Sequence, residues 1–168
     1  EGKYKEINYI RNSVKVIVDA YDGTTTFYIT DTTDPIAMSY YNMYPELFAN
    51  KNESIPEDIQ KNIVYPEFLY KIQSAVLERY HNVNTEILYR GDDVWQADTQ
   101  VGTDDSKQEA IEPYYTALKT IESDSEELGL VLPYTKSNKQ SLNSYLVGTY
   151  ENGQNKLVLY KLISDTTL

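Results

Sequence analysis

The side chains best suited to chemistry in this sequence are its single histidine, His81, and its 26 aspartates and glutamates. A lone histidine can serve a Ser-His-Asp triad, but the G-x-S-x-G elbow that presents the serine is absent. H-E-x-x-H, the phosphate loop and G-x-G-x-x-G are absent too, so nothing marks zinc hydrolysis or nucleotide binding. His81 follows Tyr80 near the end of a helical pattern. It reads as a cation at a helix C-terminus, where the peptide dipole favours positive charge. With no cysteine in the chain, disulfides, thiolate nucleophiles, Fe–S clusters and cysteine-ligated zinc are excluded together. No residue is assigned a catalytic role, and no cofactor is expected.

The carboxylates leave two openings. Paired-acid hydrolysis depends on a carboxyl separation in space, which sequence spacing does not supply here. If a metal binds, the hard oxygen ligands on offer point to calcium. Asp92 and Asp93, and Asp104 and Asp105, are its candidates, although neither pair meets the EF-hand spacing. The competing reading is a solvated acidic loop. Trp95, the only tryptophan, closes the run from Tyr89 and reads as an anchor pinning a loop to the core. A ligand-stacking role for Tyr89 and Trp95 is the alternative. Asn52-Glu53-Ser54 is a formal glycosylation sequon.

Composition removes whole classes of partner. The formal net charge is -11, with 15 bases against 26 acids and no long basic run. Phosphate backbones need clustered Lys and Arg, so nucleic acid is not expected, and anionic membrane surfaces are disfavoured for the same reason. No run of apolar residues reaches the about 18 needed to cross a bilayer as a helix. The chain opens Glu1-Gly2-Lys3 with no start methionine or signal pattern, and reads as a section of a longer protein. The 17 tyrosines suit half-buried strands and helix faces, and a sugar or peptide platform is the lesser reading.

These residues need elements to position them. Residues 13–30 are β-branched and aromatic around Asp22-Gly23, a favoured two-residue hairpin turn, and the competing reading is a helix with Ile10, Val14, Ile17, Val18 and Tyr21 at helical spacing. Folding there predicts Val18 opposite Phe27 and Val16 opposite Ile29. Asp34-Pro35 is a helix start, with Ile36, Tyr40, Met43 and Leu47 on one face and Pro45 ending the run. Pro56 opens a short helical turn. Pro66 opens a longer helix with Phe68, Leu69, Ile72, Ala75, Val76 and Tyr80 along one side. Residues 91–109 read as a surface loop. Residues 113–120, 127–134, 142–150 and 156–163 read as strands, the last apolar on both faces and therefore central or well covered. The expectation is one α+β domain over residues 1–168, with antiparallel hairpins at both ends packed with a central helical segment.

With these segments placed, the chain resembles uncharacterised protein family zero-one-eight-two. The resemblance rests on Asn8 to Lys15 running into Val18 to Thr24, on Tyr65-Pro66-Glu67-Phe68-Leu69 with Gln73, and on Tyr89 to Trp95. Pro113-Tyr114-Tyr115, Leu130 to Thr135 and Lys156 to Tyr160 continue it in order along the chain. Lys136 departs from it by standing where proline is expected, as does Lys139 where arginine is expected. The resemblance implies a large bacterial integral membrane protein, with several N-terminal transmembrane helices followed by a soluble region outside the cytoplasmic membrane. This chain would be an internal piece of that region, and its partners would be the rest of the parent protein and other envelope components. The functional expectation is an extracytoplasmic interaction or ligand-sensing module. The alternative is a cell-envelope hydrolase or carbohydrate-binding domain using Asp/Glu and Tyr residues.

Overall fold

The computed structural model describes residues 6–50, 53–99, 110–121, 126–136 and 141–162. Helices and antiparallel sheets occur together, as an α+β chain requires. Where the sequence suggests one domain, the chain divides into two compact units: Glu1–Ile63 with Asn152–Gln154, and Val64–Glu151 with Asn155–Leu168.

The first unit opens with the antiparallel hairpin of β1 (Val14–Val18) and β2 (Thr25–Ile29). Its register differs from the expected one by two residues: Val16 faces Phe27 and Val18 faces Thr25. A type I′ turn needs positive φ at both central residues, and only Gly23 has it, at 79°. Backbone bonds from Asp19 N to Thr24 O (2.8 Å) and Gly23 N to Asp19 O (2.9 Å) close a wider loop instead. The Asp19 and Asp22 carboxylates hold that loop by accepting from Tyr21 N and Thr24 N. Short side-chain acceptors outcompete the tight turn here.

Helix α1 (Pro35–Met43) starts where the sequence placed it. The Asp34 carboxylate accepts from Ile36 N at 2.9 Å and Ala37 N at 3.5 Å. Ser13 and Tyr9 donate their hydroxyls to the same carboxylate, tying the strand entry to the helix start. These donors, Ser13 first and Tyr9 next, lower the Asp34 pKa to about 2. The expected packing face of α1 does not form: Ile36, Tyr40, Met43 and Leu47 are exposed, and Ala37 is the buried residue. Tyr41 and Phe27 instead meet Phe48, beyond the 3₁₀ turn at Pro45–Leu47, with ring centroids 5.6 and 6.0 Å apart. The tertiary position of Phe48, which sequence periodicity does not encode, decides which side of α1 is covered. Helix α2 (Glu57–Gln60) follows Pro56 as a single turn.

The second unit is a five-stranded antiparallel sheet with a helix against one face. Its strands are β3 (Trp95–Ala97), β4 (Tyr114–Leu118), β5 (Glu127–Lys136), β6 (Leu142–Glu151) and β7 (Gln154–Lys161). The order is β3-β5-β6-β7, and β4 also pairs β5. Asn152 (φ 51°) and Gly153 (φ 81°) supply the paired positive φ angles that let β6 return directly as β7. β7 is therefore an edge strand and not the central strand its two-faced apolar pattern suggests. β3 also lies within the stretch expected to be loop. It is there because Trp95 buries its ring (4% exposed) and pairs with Lys136 on β5.

Helix α3 (Glu67–Tyr80) packs on β3 and β5. Its buried stripe is Tyr70, Ser74, Leu77 and the side chain of His81, at helical spacing. The apolar residues Phe68, Val76 and Tyr80 are exposed, so the expected face is rotated. Hydrogen bonding explains the rotation. The buried Tyr70 hydroxyl donates to Leu146 O at 2.8 Å, and the Tyr134 hydroxyl donates to Ser74 O at 3.1 Å. A tyrosine whose hydroxyl finds a buried acceptor packs as well as an aliphatic residue. Burial pushes the Tyr70 and Tyr134 hydroxyls far above the usual tyrosine range, so both remain neutral donors. After α3, Asn84 caps the short helix α4 (Thr85–Arg90) through Glu86 N and Ile87 N, and Gly91 ends it at φ 71°.

Gly148 is the tightest point of this core. A Cβ there would sit 2.9 Å from Tyr70 Cδ2 and 3.0 Å from Tyr65 Cγ. Both rings are pinned, Tyr70 through Leu146 O and Tyr65 through Gln73. Gly148→Ala is expected to cost about 1–3 kcal/mol by overpacking, read as a lower urea midpoint at unchanged slope. A second expectation concerns Asp34. Its folded pKa lies below the unfolded value, so its contribution is complete above about pH 4 and is lost as pH falls toward 2. Protection of the Ile36 and Ala37 amides, taken relative to their intrinsic exchange rates, should fall across that window in the native chain, and the change should be absent in Asp34→Ala.

Candidate functional site

The sheet of the second unit has two faces of different fate. Because Gly148 points at Tyr65 and Tyr70, its face of β6 is the one α3 covers. Alternate residues point the other way, and Val147 lies opposite Val131 across β5 and β6. Gly129 belongs to the same second face, since a Cβ there would meet Leu118 and Thr149. This second face holds a groove of about 450 Å³ with Tyr114, Leu118, Val131, Pro133, Tyr145 and Tyr160 among its walls. Tyr145 and Tyr160 stack there with centroids 4.9 Å apart and planes 13° from parallel. The groove is aromatic and aliphatic, the composition of surfaces that receive other molecules or other layers.

One end of this face is polar. A hollow of about 110 Å³ is lined by Thr120, Lys156, Val158 and Tyr160. The Thr120 hydroxyl is buried and finds no partner among the described residues. Beside it, Glu151 accepts from Thr149 Oγ1 at 2.7 Å and from Lys156 Nζ at 3.1 Å. Burial opposes ionisation of Glu151, but Thr149, Lys156 and a hydrogen bond with Glu127 outweigh it and hold the carboxyl below its ordinary range. The two glutamates therefore converge, yet Glu151 is built to stay ionised and ion-paired. A general acid needs the opposite, a raised pKa.

The second cluster lies around Trp95 on the face that α3 covers. The His81 imidazole stacks on the indole with centroids 3.7 Å apart and planes 18° from parallel. Lys161 Nζ lies 5.7 Å from the indole centroid, within cation–π range. His81 Nδ1 is 3.1 Å from Leu77 O, so the imidazole caps the end of α3 as the sequence suggested. Its Nε2 is 3.3 Å from Asp93 Oδ2, and Lys136 Nζ is 3.1 Å from Asp93 Oδ1. The lysine contact is close but not aligned as a hydrogen bond, so it is an ion pair. Burial raises the cost of the Asp93 charge, and Lys136 and His81 more than offset it, leaving the pKa below the ordinary value.

These placements decide among the residues singled out by type. Trp95 is buried while Tyr89 is 94% exposed on α4, so the two do not form one stacking surface. Asp92 is exposed, and the two oxygens of Asp93 face His81 Nε2 and Lys136 Nζ, which leaves it poorly placed to ligate calcium. No group of three or more His, Cys, Asp or Glu among the described residues is placed to hold a metal. Asp104 and Asp105 lie outside the described residues, as does Asn52 of the sequon. Sequence reasoning missed the groove. Its signal was the period-two spacing of Tyr114, Thr116 and Leu118, and of Val158 and Tyr160.

The profile of Uncharacterised protein family (UPF0182) matches residues 1–168. The chain belongs to this family. Among similar family proteins, one from Caldicellulosiruptor saccharolyticus is 41% identical over 162 residues, covering 96% of this chain and 18% of the relative. One from Trichodesmium erythraeum is 39% identical over 157 residues, covering 92% of this chain and 17% of the relative. One from Methanospirillum hungatei is 38% identical over 142 residues, covering 84% and 16%. This UPF0182 chain thus spans less than a fifth of the length of these relatives. No solved structure matches it.

Asp93→Asn tests the Trp95 cluster. Removing the charge shared by His81 and Lys136 is expected to cost about 1–3 kcal/mol at pH 7. Trp95, the only tryptophan, reports the transition directly by fluorescence. The Asp93 pKa is depressed on folding, so the difference between variant and native chain should shrink as pH falls below about 4.

Proposed function

We propose that this section of a UPF0182 protein is an extracytoplasmic interaction module of an integral membrane protein. The observation that carries the interaction reading is the open groove on the second face of the sheet. A two-layer domain normally exposes polar side chains on its solvent face. This one presents Tyr114 and Leu118 from β4, Pro133 from β5, Tyr145 from β6 and Tyr160 from β7. The membrane setting is supported by the resemblance of the chain and by the length of its relatives, most of which lies outside the matched section. Among the described residues no helix is long and apolar enough to cross a membrane.

The hydrolase reading draws some support from the convergence of Glu127 and Glu151 beside Tyr160. Glu151 argues against it, since Lys156 and Thr149 commit its carboxylate to the ionised form. Many of the tyrosines are also structural: Tyr28, Tyr65, Tyr70 and Tyr134 are buried. Binding by a shaped surface accounts for the observations with fewer conditions.

The absence of cysteine makes location directly testable. Tyr21 is fully exposed, so Tyr21→Cys introduces one accessible thiol into this section. In intact cells carrying the full-length protein, a membrane-impermeant maleimide is expected to label that thiol. Labelling that requires cell lysis would place the section inside and remove the extracytoplasmic reading.

A further inference from the structure

The second face of the sheet carries a largely aromatic and aliphatic groove, and we infer that this groove is covered by another segment of the same polypeptide, lying outside residues 1–168. This rests on the interaction reading above and names its partner.

The strand pattern argues first. β7 turns Leu157 and Leu159 toward the core under α3, and Val158 and Tyr160 toward the opposite face. An edge strand that meets water on one side ordinarily alternates apolar with polar or charged residues. Here the alternation is apolar on both sides, the pattern of a strand between two layers. β5 repeats it, since Leu130 and Leu132 face α3 while Val131 and Pro133 face the groove. Val131 and Val147 are already buried, and the apolar surface that the groove leaves in water is at Tyr114, Ile121 and Leu142. Such surface forgoes roughly 25 cal/mol per Å² of burial, so a cover over it is favoured.

Charge and tethering then choose the occupant. The chain carries a net charge of -11, so two copies brought face to face repel one another. A segment on the same polypeptide meets the groove at an effective concentration in about the millimolar range, with no partner to recruit. The matched section makes up 18% of the Caldicellulosiruptor relative, so a polypeptide of that kind has ample chain to supply the cover. The accessible apolar lining favours a protein segment over a saccharide, because Leu118, Ile121, Pro133 and Leu142 offer methyl and methylene groups and not hydrogen bonds. The polar end adds orientation. The Thr120 hydroxyl, buried beside Lys156 and without a partner among the described residues, is a donor awaiting an acceptor. The segment is thus amphipathic: apolar side chains on Tyr145 and Pro133, and a carbonyl or side-chain oxygen at Thr120.

Photo-cross-linking in the full-length protein tests this. The substitutions are Tyr145→p-benzoylphenylalanine and, as a second position at the 49% exposed Tyr114, Tyr114→p-benzoylphenylalanine. Tyr21→p-benzoylphenylalanine, on the first unit and not among the residues that line the groove, is the control. After irradiation and proteolysis, mass spectrometry should find both groove probes joined to peptides of the same polypeptide outside residues 1–168. The yield should exceed that of the Tyr21 probe by at least about tenfold, as a tethered partner at high effective concentration requires. Cross-links to a second copy, to another protein or to a glycan overturn the inference, and so does the absence of enrichment over Tyr21. The maleimide experiment is independent: cross-links inside the chain with no surface labelling would sink the location alone.

Discussion

Tyr70 is fully buried, and its hydroxyl donates to a backbone carbonyl of β6 while its ring lies against the one position on that strand with no side chain. The arrangement of the second unit depends on this contact. A phenol in the centre of a core is tolerated only when its hydroxyl is satisfied, and Leu146 O supplies the acceptor. The ring can approach that carbonyl only because residue 148 is glycine. Once α3 is held there, Tyr134 reaches Ser74 O, Tyr65 reaches Gln73, and Leu77 and His81 follow on the same helical stripe. The buried tyrosines Tyr65, Tyr70 and Tyr134 thus build a core whose parts are oriented by hydrogen bonds as well as by shape, while many of the other tyrosines are exposed.

With α3 on one face, the sheet has two clusters of opposite character. On the covered side, Trp95, His81, Asp93, Lys136 and Lys161 form a charged and aromatic knot that anchors β3. The His81 side chain is only 3% exposed and the Trp95 ring is buried, while Lys136 at the rim is 44% exposed. Lys136 is notable because the resemblance leads one to expect proline there. A proline could make no ion pair with Asp93, so in this chain the lysine brings a cation to a carboxylate that burial would otherwise disfavour. On the other side, Tyr114, Leu118, Pro133, Tyr145 and Tyr160 line the groove together with Lys119.

Much of the local structure was legible from sequence because its causes are local. Asp34-Pro35 starts a helix since the carboxylate accepts from amides two and three residues on, and Pro45 ends it for want of a donor. The strands at 142–150 and 156–163 were legible from their β-branched and aromatic runs. Cysteine, phosphate-loop and metalloprotease chemistries were excluded by residue types and spacings that are simply missing. Family membership was legible too, because it rests on ordered segments along the whole chain.

Other features depend on partners distant in sequence, and only the tertiary structure decided them. Asp22-Gly23 looked like a tight turn, but Asp19 and Asp22 accepted backbone amides and widened the loop. The buried side of α3 was set by carbonyls on β6 and hydroxyls on β5, which hydrophobic periodicity does not register. β7 was rightly read as apolar on both faces, and the structure then placed it at an edge of the sheet among the described residues. The sequence thus determined the two-faced apolar character of this strand, through the alternation of its side chains. Only the tertiary structure decided its place in the sheet, because strand order is set by pairings between residues far apart in the chain.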